Sequence, residues 1–342
     1  MRTPRILITI LSLVISVYSY AGVIYVDKDM SDGFWQGSYT DLSDAIAAAQ
    51  SGDEIWVASG TYTPGYSRED SFSLKEGVKI YGGFYGGEMN RSDRDVRRNA
   101  TVLSGDIGIT GDRSDNSYHV ISHRGALTAA AVLDGFVIRD GNADNGTGGG
   151  GMLLENGASP RIANCRFVNN TTTAGGGAIH LSNGPLIEAC LFESNSAAYG
   201  GAICSPEDRT QNGDASISRS TFVLNTALSG SALFIDKRET VRIDSSIFWL
   251  NMNGSGTVNT FSLNTTGGSA SSVDRSATDD SRIYASSVSN IIYYTSSEAD
   301  GPFVNTADYR IDNNHGIPRD YGWYYTPTPL VLNIKIFLEG AF

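Results

Sequence analysis

Residues 176–195 read GGAIHLSNGPLIEACLFESN, and the two ends of this stretch recur along the chain. The glycine-rich phrase stands at 149–152, 176–179, 200–203 and, as Gly-Ser-Ala-Leu, at 230–233. The phrase Phe-x-x-Asn stands at 167–170, 192–195, 222–225 and 248–251. The two phrases alternate strictly, and successive phenylalanines lie 25, 30 and 26 residues apart. A period of this length with glycine punctuation is typical of a solenoid or a propeller.

The strand-like pieces of each repeat decide between these two architectures. Pieces such as Arg161–Asn164 and Ser216–Arg219 are too short for the four long strands of a propeller blade. One repeat cannot bury its own apolar face, so successive coils must stack at about 4.8 Å and hydrogen-bond to one another. The sequence therefore predicts an all-β chain folded as a right-handed parallel β-helix solenoid.

Stacked coils place equivalent residues above one another, which assigns structural roles to both phrases. We expect an internal aromatic ladder of Phe167, Phe192, Phe222 and Phe248 and an aliphatic ladder of Ile179, Ile203 and Leu233. The glycines should supply positive φ and close backbone approach at the corners: Gly176, Gly177, Gly200 and Gly201. The asparagines should bond the backbone of a bend rather than a ligand: Asn170, Asn195, Asn225 and Asn251.

The regions outside these repeats have different sequence patterns. Residues 1–21 carry two arginines, an apolar run and a small-x-small site before Gly22, which predicts a cleaved signal peptide. The β-helix should span 22–311, with regular repeats over about 133–251 and irregular terminal coils over 252–311. Residues 312–342 end in an apolar alternating strand, so we interpret them as a tail that begins a truncated further module.

One short helix is predicted near the start of the solenoid. Residues 41–50 have Asp41 as an N-cap candidate and apolar residues at helical spacing. A helix here would plug the open end of the solenoid, where strand edges are otherwise unpaired.

Composition limits the possible partners. The formal charge of −12 argues against nucleic acid as a partner, and no stretch after the signal is long and apolar enough for a transmembrane helix.

Three cysteines do not make a disulfide scaffold. Cys165 and Cys190 hold equivalent repeat positions within possible disulfide reach, and we interpret them as stacked buried thiols; the disulfide state of Cys204 is left open. Four scattered histidines have no zinc-ligand spacing.

The two phrases resemble the repeats of the chlamydial polymorphic outer membrane proteins, a family of β-helical surface adhesins. The segment Gly52–Tyr62, together with Leu133–Phe136 and Ser246–Asn251, looks like the broader pectate-lyase-like β-helix proteins. The resemblance covers roughly residues 22–311. It implies the fold and a secreted, cell-surface or outer-membrane-associated protein, while it implies little about activity.

Many β-helices are polysaccharide lyases or hydrolases, so we searched for a catalytic column. The outward position before each ladder phenylalanine holds Arg166, Leu191, Thr221 and Ile247, which is not a catalytic set. The weak catalytic candidates are Asp134, Arg139, Asp140 and Asp144. Asp140, Asn142 and Asp144 alternate as calcium ligands do, although the glutamate that ends a calcium loop is replaced by Gly151. The competing interpretation is an Asn/Asp/Gly turn. Calcium is the one cofactor that the sequence suggests.

Three functional hypotheses follow. The first is a non-enzymatic secreted or surface β-helix, an adhesin that binds a glycan or another host or environmental ligand through its long side loops. The second is a polysaccharide lyase or glycoside hydrolase whose groove is formed by irregular coils around Arg68 to Asp115. The third is a passive surface stalk. A concave face with converging charged residues would indicate an enzyme, and a broad flat face would indicate an adhesin. Uniformly polar sides would indicate a stalk.

Overall fold

Successive coils of this chain stack on one another, and each coil contributes strands to several continuous sheets. The computed structural model describes residues 21–29, 35, 38–206, 214–235, 240–257, 260–263, 272–274, 277–278, 287–289, 292–293, 303–305 and 310–311. The predicted signal peptide and C-terminal tail lie almost entirely outside these residues.

The elements of the first half are short, as the repeat pattern predicts. They are β1 (Val23–Val26), α1 (Leu42–Ala48), β2 (Glu54–Ala58), β3 (Gly60–Tyr62), β4 (Lys79–Phe84), β5 (Thr101–Ser104), β6 (Ile121–Arg124), β7 (Val132–Asp134), β8 (Phe136–Arg139), β9 (Asn142–Ala143), β10 (Met152–Glu155), β11 (Arg161–Ala163), β12 (Arg166–Val168) and β13 (Thr171–Thr172). Two 3₁₀ turns span Arg91–Asp93 and Arg113–Asp115.

The second half continues the same order of strands. They are β14 (Ile179–Leu181), β15 (Leu186–Glu188), β16 (Leu191–Glu193), β17 (Ser196–Tyr199), β18 (Ile203–Ser205), β19 (Asp214–Ser218), β20 (Thr221–Val223), β21 (Thr226–Ser229), β22 (Leu233–Ile235), β23 (Thr240–Asp244), β24 (Ile247–Trp249), β25 (Phe261–Leu263), β26 (Ser272–Asp274), β27 (Ala277–Thr278), β28 (Ser287–Ser289), β29 (Ile292–Tyr293), β30 (Phe303–Asn305) and β31 (Arg310–Ile311).

Four parallel sheets run along the solenoid. The first has the order β1-β2-β4-β7-β11-β15-β19-β23-β26-β28. The second is β6-β10-β14-β18-β22-β25, the third β3-β5-β8-β12-β16-β20-β24-β27-β29, and the fourth β9-β13-β17-β21. Among the described strands, β30 and β31 form the one antiparallel pair. The predicted all-β parallel solenoid with a short N-terminal helix is therefore confirmed.

The helix α1 covers the first coils at one end of the core. Asp41 caps it by accepting hydrogen bonds from Ser43 N at 2.6 Å and Asp44 N at 3.3 Å. Leu42, Ala45 and Ile46 on its inner face are buried in the main core. Burial of this apolar stripe, rather than the propensity of a seven-residue helix, therefore stabilises α1.

The phenylalanine phrase forms a continuous aromatic stack inside the third sheet. The rings of Phe167, Phe192, Phe222 and Phe248 are fully buried. Their centroids are 5.1, 4.6 and 4.7 Å apart, with interplanar angles of 8° at each step. Across the core, Ile179, Ile203 and Leu233 lie in register in the second sheet.

A ladder of fully buried asparagines runs beside this stack: Asn170, Asn195, Asn225 and Asn251. The Oδ1 atoms of Asn195, Asn225 and Asn251 each accept hydrogen bonds from the backbone N–H and the Nδ2 of the asparagine one coil earlier, at 2.9–3.1 Å. Each Nδ2 also donates to a carbonyl of the preceding coil, as Asn195 Nδ2 does to Phe167 O at 2.9 Å. The ladder thus links side chains and backbone of consecutive coils.

Three corners of a typical coil require a left-handed backbone conformation. The first corner is a glycine, with φ of +75° at Gly176 and +59° at Gly200. The glycine after it approaches the next coil, since a Cβ on Gly177 would lie 2.4 Å from Gly201 O. The other two corners flank the phenylalanine strand and are occupied by ordinary residues, including Ala189 at +51° and Leu224 at +56°. Only the glycine corners were visible in the sequence.

Two histidines pack at the glycine corners. His119 Nδ1 lies 2.8 Å from Gly149 O, and His180 Nδ1 lies 3.2 Å from Gly175 O. Since a carbonyl oxygen only accepts, each Nδ1 carries the proton and donates it. Burial lowers the pKa of His119, and it lowers the pKa of His180 as well.

We predict that Asn195→Ala lowers the free energy of unfolding by about 3 kcal/mol. The substitution removes the partner of Asn170 N and the side-chain donor to Phe167 O, and each unsatisfied buried group costs about 1–3 kcal/mol. Urea denaturation followed by circular dichroism measures the change. Asn90→Ala, at an exposed asparagine bonded only to Asp93 among the contacts described, is the control and should cost far less. Equal losses in both variants would contradict a special role for the ladder.

We expect Leu224→Asn to stabilise the protein by about 0.5–1 kcal/mol. A left-handed residue costs roughly 1–2 kcal/mol, and asparagine tolerates this conformation better than leucine. Asn169, at the equivalent corner, already adopts φ of +56°. Leu186→Asn, at an exposed leucine within β15, serves as the control and should not stabilise. A thermal melt that shows no gain for Leu224→Asn would mean that this corner is not strained.

We predict that the free energy of unfolding decreases as the pH falls from 7 to 5. The pKa of His119 is lower in the folded chain than its ordinary value of 6.5. Its stabilising contribution is therefore complete above about pH 6.5 and is lost as the pH falls through the folded pKa. In His119→Gln the decrease between pH 7 and 5 should be smaller, as urea denaturation at each pH measures. An unchanged decrease would assign the effect to other groups.

Candidate functional site

Asp134 lies apart from the other acidic candidates, at the end of β7. Its Oδ1 accepts hydrogen bonds from Arg94 Nη2 at 2.8 Å and from Asn164 Nδ2 at 2.9 Å. The side chains of Asp134 and Arg94 are 8% and 9% exposed, so the pair is buried. Arg94 Nη1 also donates to Gly82 O and Asp134 O. The geometry therefore gives Asp134 a role in holding neighbouring coils together.

Arg139 and Asp140 lie at the far end of β8 from Asp134. Asp140 occupies a left-handed corner with φ of +61°, and its Oδ2 is 3.4 Å from Arg139 Nε. Burial raises the pKa of Asp140 above its ordinary value, and the nearby Asp106 carboxylate adds to the increase. A carboxyl group with a raised pKa has the property that a general acid needs.

The predicted calcium loop is occupied by an arginine. Arg68 Nη2 donates to Asp144 Oδ1 at 2.9 Å and to Asn142 O at 3.1 Å, and Arg68 Nε donates to Asn116 O. Asn142 Nδ2 donates to Arg113 O at 2.8 Å and faces Asp144 Oδ2 at 3.4 Å. Asn142 and Asp144 thus have protein groups as partners in this structure. Calcium ligation by Asp140, Asn142 and Asp144 stays a prediction.

Metal ligands of other kinds do not cluster in the part of the chain that the structure describes. No group of three or more histidine, cysteine, aspartate or glutamate side chains there could hold an ion. Cys165, Cys190 and Cys204 are buried and are not joined in disulfides. Burial raises the pKa of the Cys190 thiol, which keeps it protonated and unreactive next to Cys165. His315 lies outside the described residues.

The outward column before the ladder phenylalanines is in register, as expected. Arg166 pairs with Leu191, Leu191 with Thr221, and Thr221 with Ile247. The expectation that this column faces solvent is wrong, since Leu191, Thr221 and Ile247 are fully buried. Their apolar or small character agrees with that burial, and buried side chains of this kind cannot act on a polymer.

The fourth sheet carries a column of polar side chains that was not predicted from the sequence. Its strands place Asn142, Thr171, Ser196 and Thr226 in one register column. Thr226 Oγ1 donates to Ser196 Oγ at 3.0 Å. Tyr199, at the end of β17 in the same sheet, is 48% exposed. We call these five residues the hydroxyl face.

The polar column of the hydroxyl face has a regular spacing. Adjacent strands of a parallel sheet lie about 4.8 Å apart, so the column presents one hydroxyl or amide group at each step. Each of the four column residues directly follows a ladder asparagine, or Gly141 in the earliest coil. The position directly after a ladder asparagine is therefore the feature of the sequence from which this column could have been predicted. The ring of Tyr199 lies 5.2 Å from that of Phe234 and is tilted by 54°, which supports it from one side.

Comparisons with known proteins agree with this architecture. A family model described as right handed beta helix region matches residues 98–270, just over half of the chain. No curated protein and no solved structure matches the sequence. Within the described residues, no helix has the length and apolar character needed to cross a membrane. The parallel sheets and the family match together show that the chain belongs to the right-handed β-helix family.

Proposed function

We propose that this chain is a non-enzymatic, secreted or cell-surface β-helix protein that binds a glycan on its hydroxyl face. The observation that carries the proposal is the regular column of Asn142, Thr171, Ser196 and Thr226, in a sheet that also carries an exposed tyrosine. A column of repeated polar groups with an exposed aromatic ring in the same sheet favours a binding protein over a stalk with uniformly polar sides.

The chemistry of the hydroxyl face matches that of a sugar polymer. Hydroxyl and amide groups both donate and accept hydrogen bonds, as sugar hydroxyl groups do. An exposed tyrosine ring offers an apolar surface with a polar edge, which suits the C–H face of a pyranose ring. The repeat of about 4.8 Å presents the same group several times along one line, which favours a ligand that is itself a repeating chain.

The location and the adhesin role rest on sequence features. The pattern of residues 1–21 predicts export, and the Gly-Gly-x-apolar and Phe-x-x-Asn phrases resemble those of surface adhesins. Two of the carboxylates that an enzyme could use are held directly by arginines, Asp134 by Arg94 and Asp144 by Arg68. These pairings favour binding over hydrolysis at those residues.

A glycoside hydrolase is the second candidate, and one observation favours it. Asp140 combines a raised pKa with a neighbouring carboxylate, Asp106, and two-carboxylate sites hydrolyse glycosidic bonds. In this alternative Asp140 is the general acid and Asp106 the partner. Asp106 also accepts hydrogen bonds from Gly111 N at 3.1 and 3.3 Å, which ties it to its own loop.

Glycan-array binding by the purified chain tests the leading proposal. We expect binding to at least one polysaccharide, and we expect the double variant Thr171→Val/Tyr199→Ala to bind it at least tenfold more weakly. Threonine to valine removes the hydroxyl group with little change of shape. Tyr66→Ala is the matched control, because Tyr66 is 97% exposed and lies in a different loop.

Two outcomes would overturn the proposal. One is equal binding by the double variant and the wild-type chain, or no binding to any glycan. The other is release of reducing sugars or unsaturated uronides by the wild-type chain that is lost in Asp140→Ala or Asp144→Ala, measured with and without calcium. Such release would show that the chain is a polysaccharide-cleaving enzyme instead.

A further inference from the structure

A cavity of about 350 Å³ lies at the capped end of the solenoid, between α1 and residues 71–75. It is lined by Ser43, Ile46, Ala47, Ser71, Ser73, Leu74 and Lys75. Its volume falls at the lower end of the range for small-molecule sites, which is about 300–1,000 Å³. None of its lining residues belongs to the hydroxyl face.

The lining combines an apolar floor with a hydroxyl rim. Ile46 and Leu74 are buried members of the main core and form part of the floor. The hydroxyl groups of Ser43, Ser71 and Ser73 supply both donors and acceptors. A purely apolar ligand would leave these groups without partners, whereas a ligand with one apolar face and several hydroxyl groups satisfies both parts of the lining.

Neighbouring contacts hold the rim in place. Ser73 Oγ is hydrogen-bonded to His123 Nδ1 at 3.2 Å. Lys75 Nζ donates to Ala47 O at 3.0 Å and also to Ala49 O, which fixes the end of its side chain against α1. Groups fixed before binding lose less conformational freedom when a ligand arrives.

The charges around the cavity favour a neutral ligand. Lys75 is the one charged residue in the lining, and its ammonium group is already shared with two helix carbonyls. Three nearby carboxylates are engaged elsewhere: Asp41 at the N-cap of α1, Asp70 with Tyr66 N and Ser67 N, and Glu76 with Thr128. The charged group in the lining, the Lys75 ammonium, therefore already has partners within the chain.

We propose that this cavity binds a single neutral pyranose ring, such as the end residue of a glycan. The C–H face of the ring packs on Ile46 and Leu74, and its hydroxyl groups bond the serine rim and the remaining donor of Lys75. The site goes beyond the hydroxyl face, since it binds one sugar residue at the end of the molecule rather than a polymer along its side.

Saturation-transfer difference NMR on the purified chain tests the site. The probes are the methyl pyranosides of glucose, galactose, mannose and N-acetylglucosamine, with methyl glucuronide as the charged comparison. We expect transfer to at least one neutral probe and at least tenfold weaker binding in Ala47→Trp, which fills the cavity. Ala48→Trp is the matched control, because Ala48 is exposed on the same helix and does not line the cavity.

A second variant keeps the test decisive if Ala47→Trp does not fold. Ser71→Ala/Ser73→Ala removes two hydroxyl groups without filling the cavity and should weaken binding at least fivefold. The proposal is wrong if no neutral pyranoside binds, if only the glucuronide binds, or if the variant that folds binds as tightly as the wild-type chain. Tyr199→Ala should leave this binding within twofold of wild type, so failure of the hydroxyl face and failure of the cavity are distinguishable.

Discussion

The asparagine ladder is the constraint on which the stacking of the coils depends. Backbone hydrogen bonds in a parallel sheet repeat every two residues, so they alone would tolerate a coil displaced by two residues with the same face inward. A buried amide does not tolerate this displacement, because an unsatisfied polar group in the core is costly. Asn170, Asn195, Asn225 and Asn251 satisfy one another only when each lies directly above the last. The aromatic stack beside them then follows in register.

This constraint also determines what reaches the surface. Coils of 25, 30 and 26 residues share one core because their phenylalanine strands keep the same register despite the different numbers of residues between them. The residues that follow Asn170, Asn195 and Asn225 lie in the fourth sheet in one register, which is why Thr171, Ser196 and Thr226 align. The proposed ligand face is thus a consequence of the same register that builds the core.

The fold was predictable because two phrases with a near-constant period determine it, and the Asp41 cap and apolar spacing were enough to place α1. The partners of the acidic residues were not predictable. Arg94 reaches Asp134 from 40 residues away and Arg68 reaches Asp144 from 76 residues away, and the coils that carry these arginines have no repeat to align. The left-handed conformation of Leu224 was also hidden, since closure of the coil imposes it on a residue type that does not favour it. The cavity was missed for the same reason as the arginines, because it forms between α1 and an irregular coil.

The arrangement of charge bears on what kind of ligand the protein can bind. Arginines act as clamps between coils, for Glu188 contacts both Arg161 and Arg219, and Glu193 contacts Arg166. Charges used in this way are not available to neutralise an ionic ligand, and the net charge of −12 repels polyanions. Recognition then falls to neutral hydroxyl, amide and aromatic groups, each of which contributes little by itself. Such weak contacts reach useful affinity when they are repeated along a linear ligand, and a solenoid repeats its surface at every coil. A neutral glycan chain is therefore the ligand that best matches both the chemistry and the periodicity of this surface.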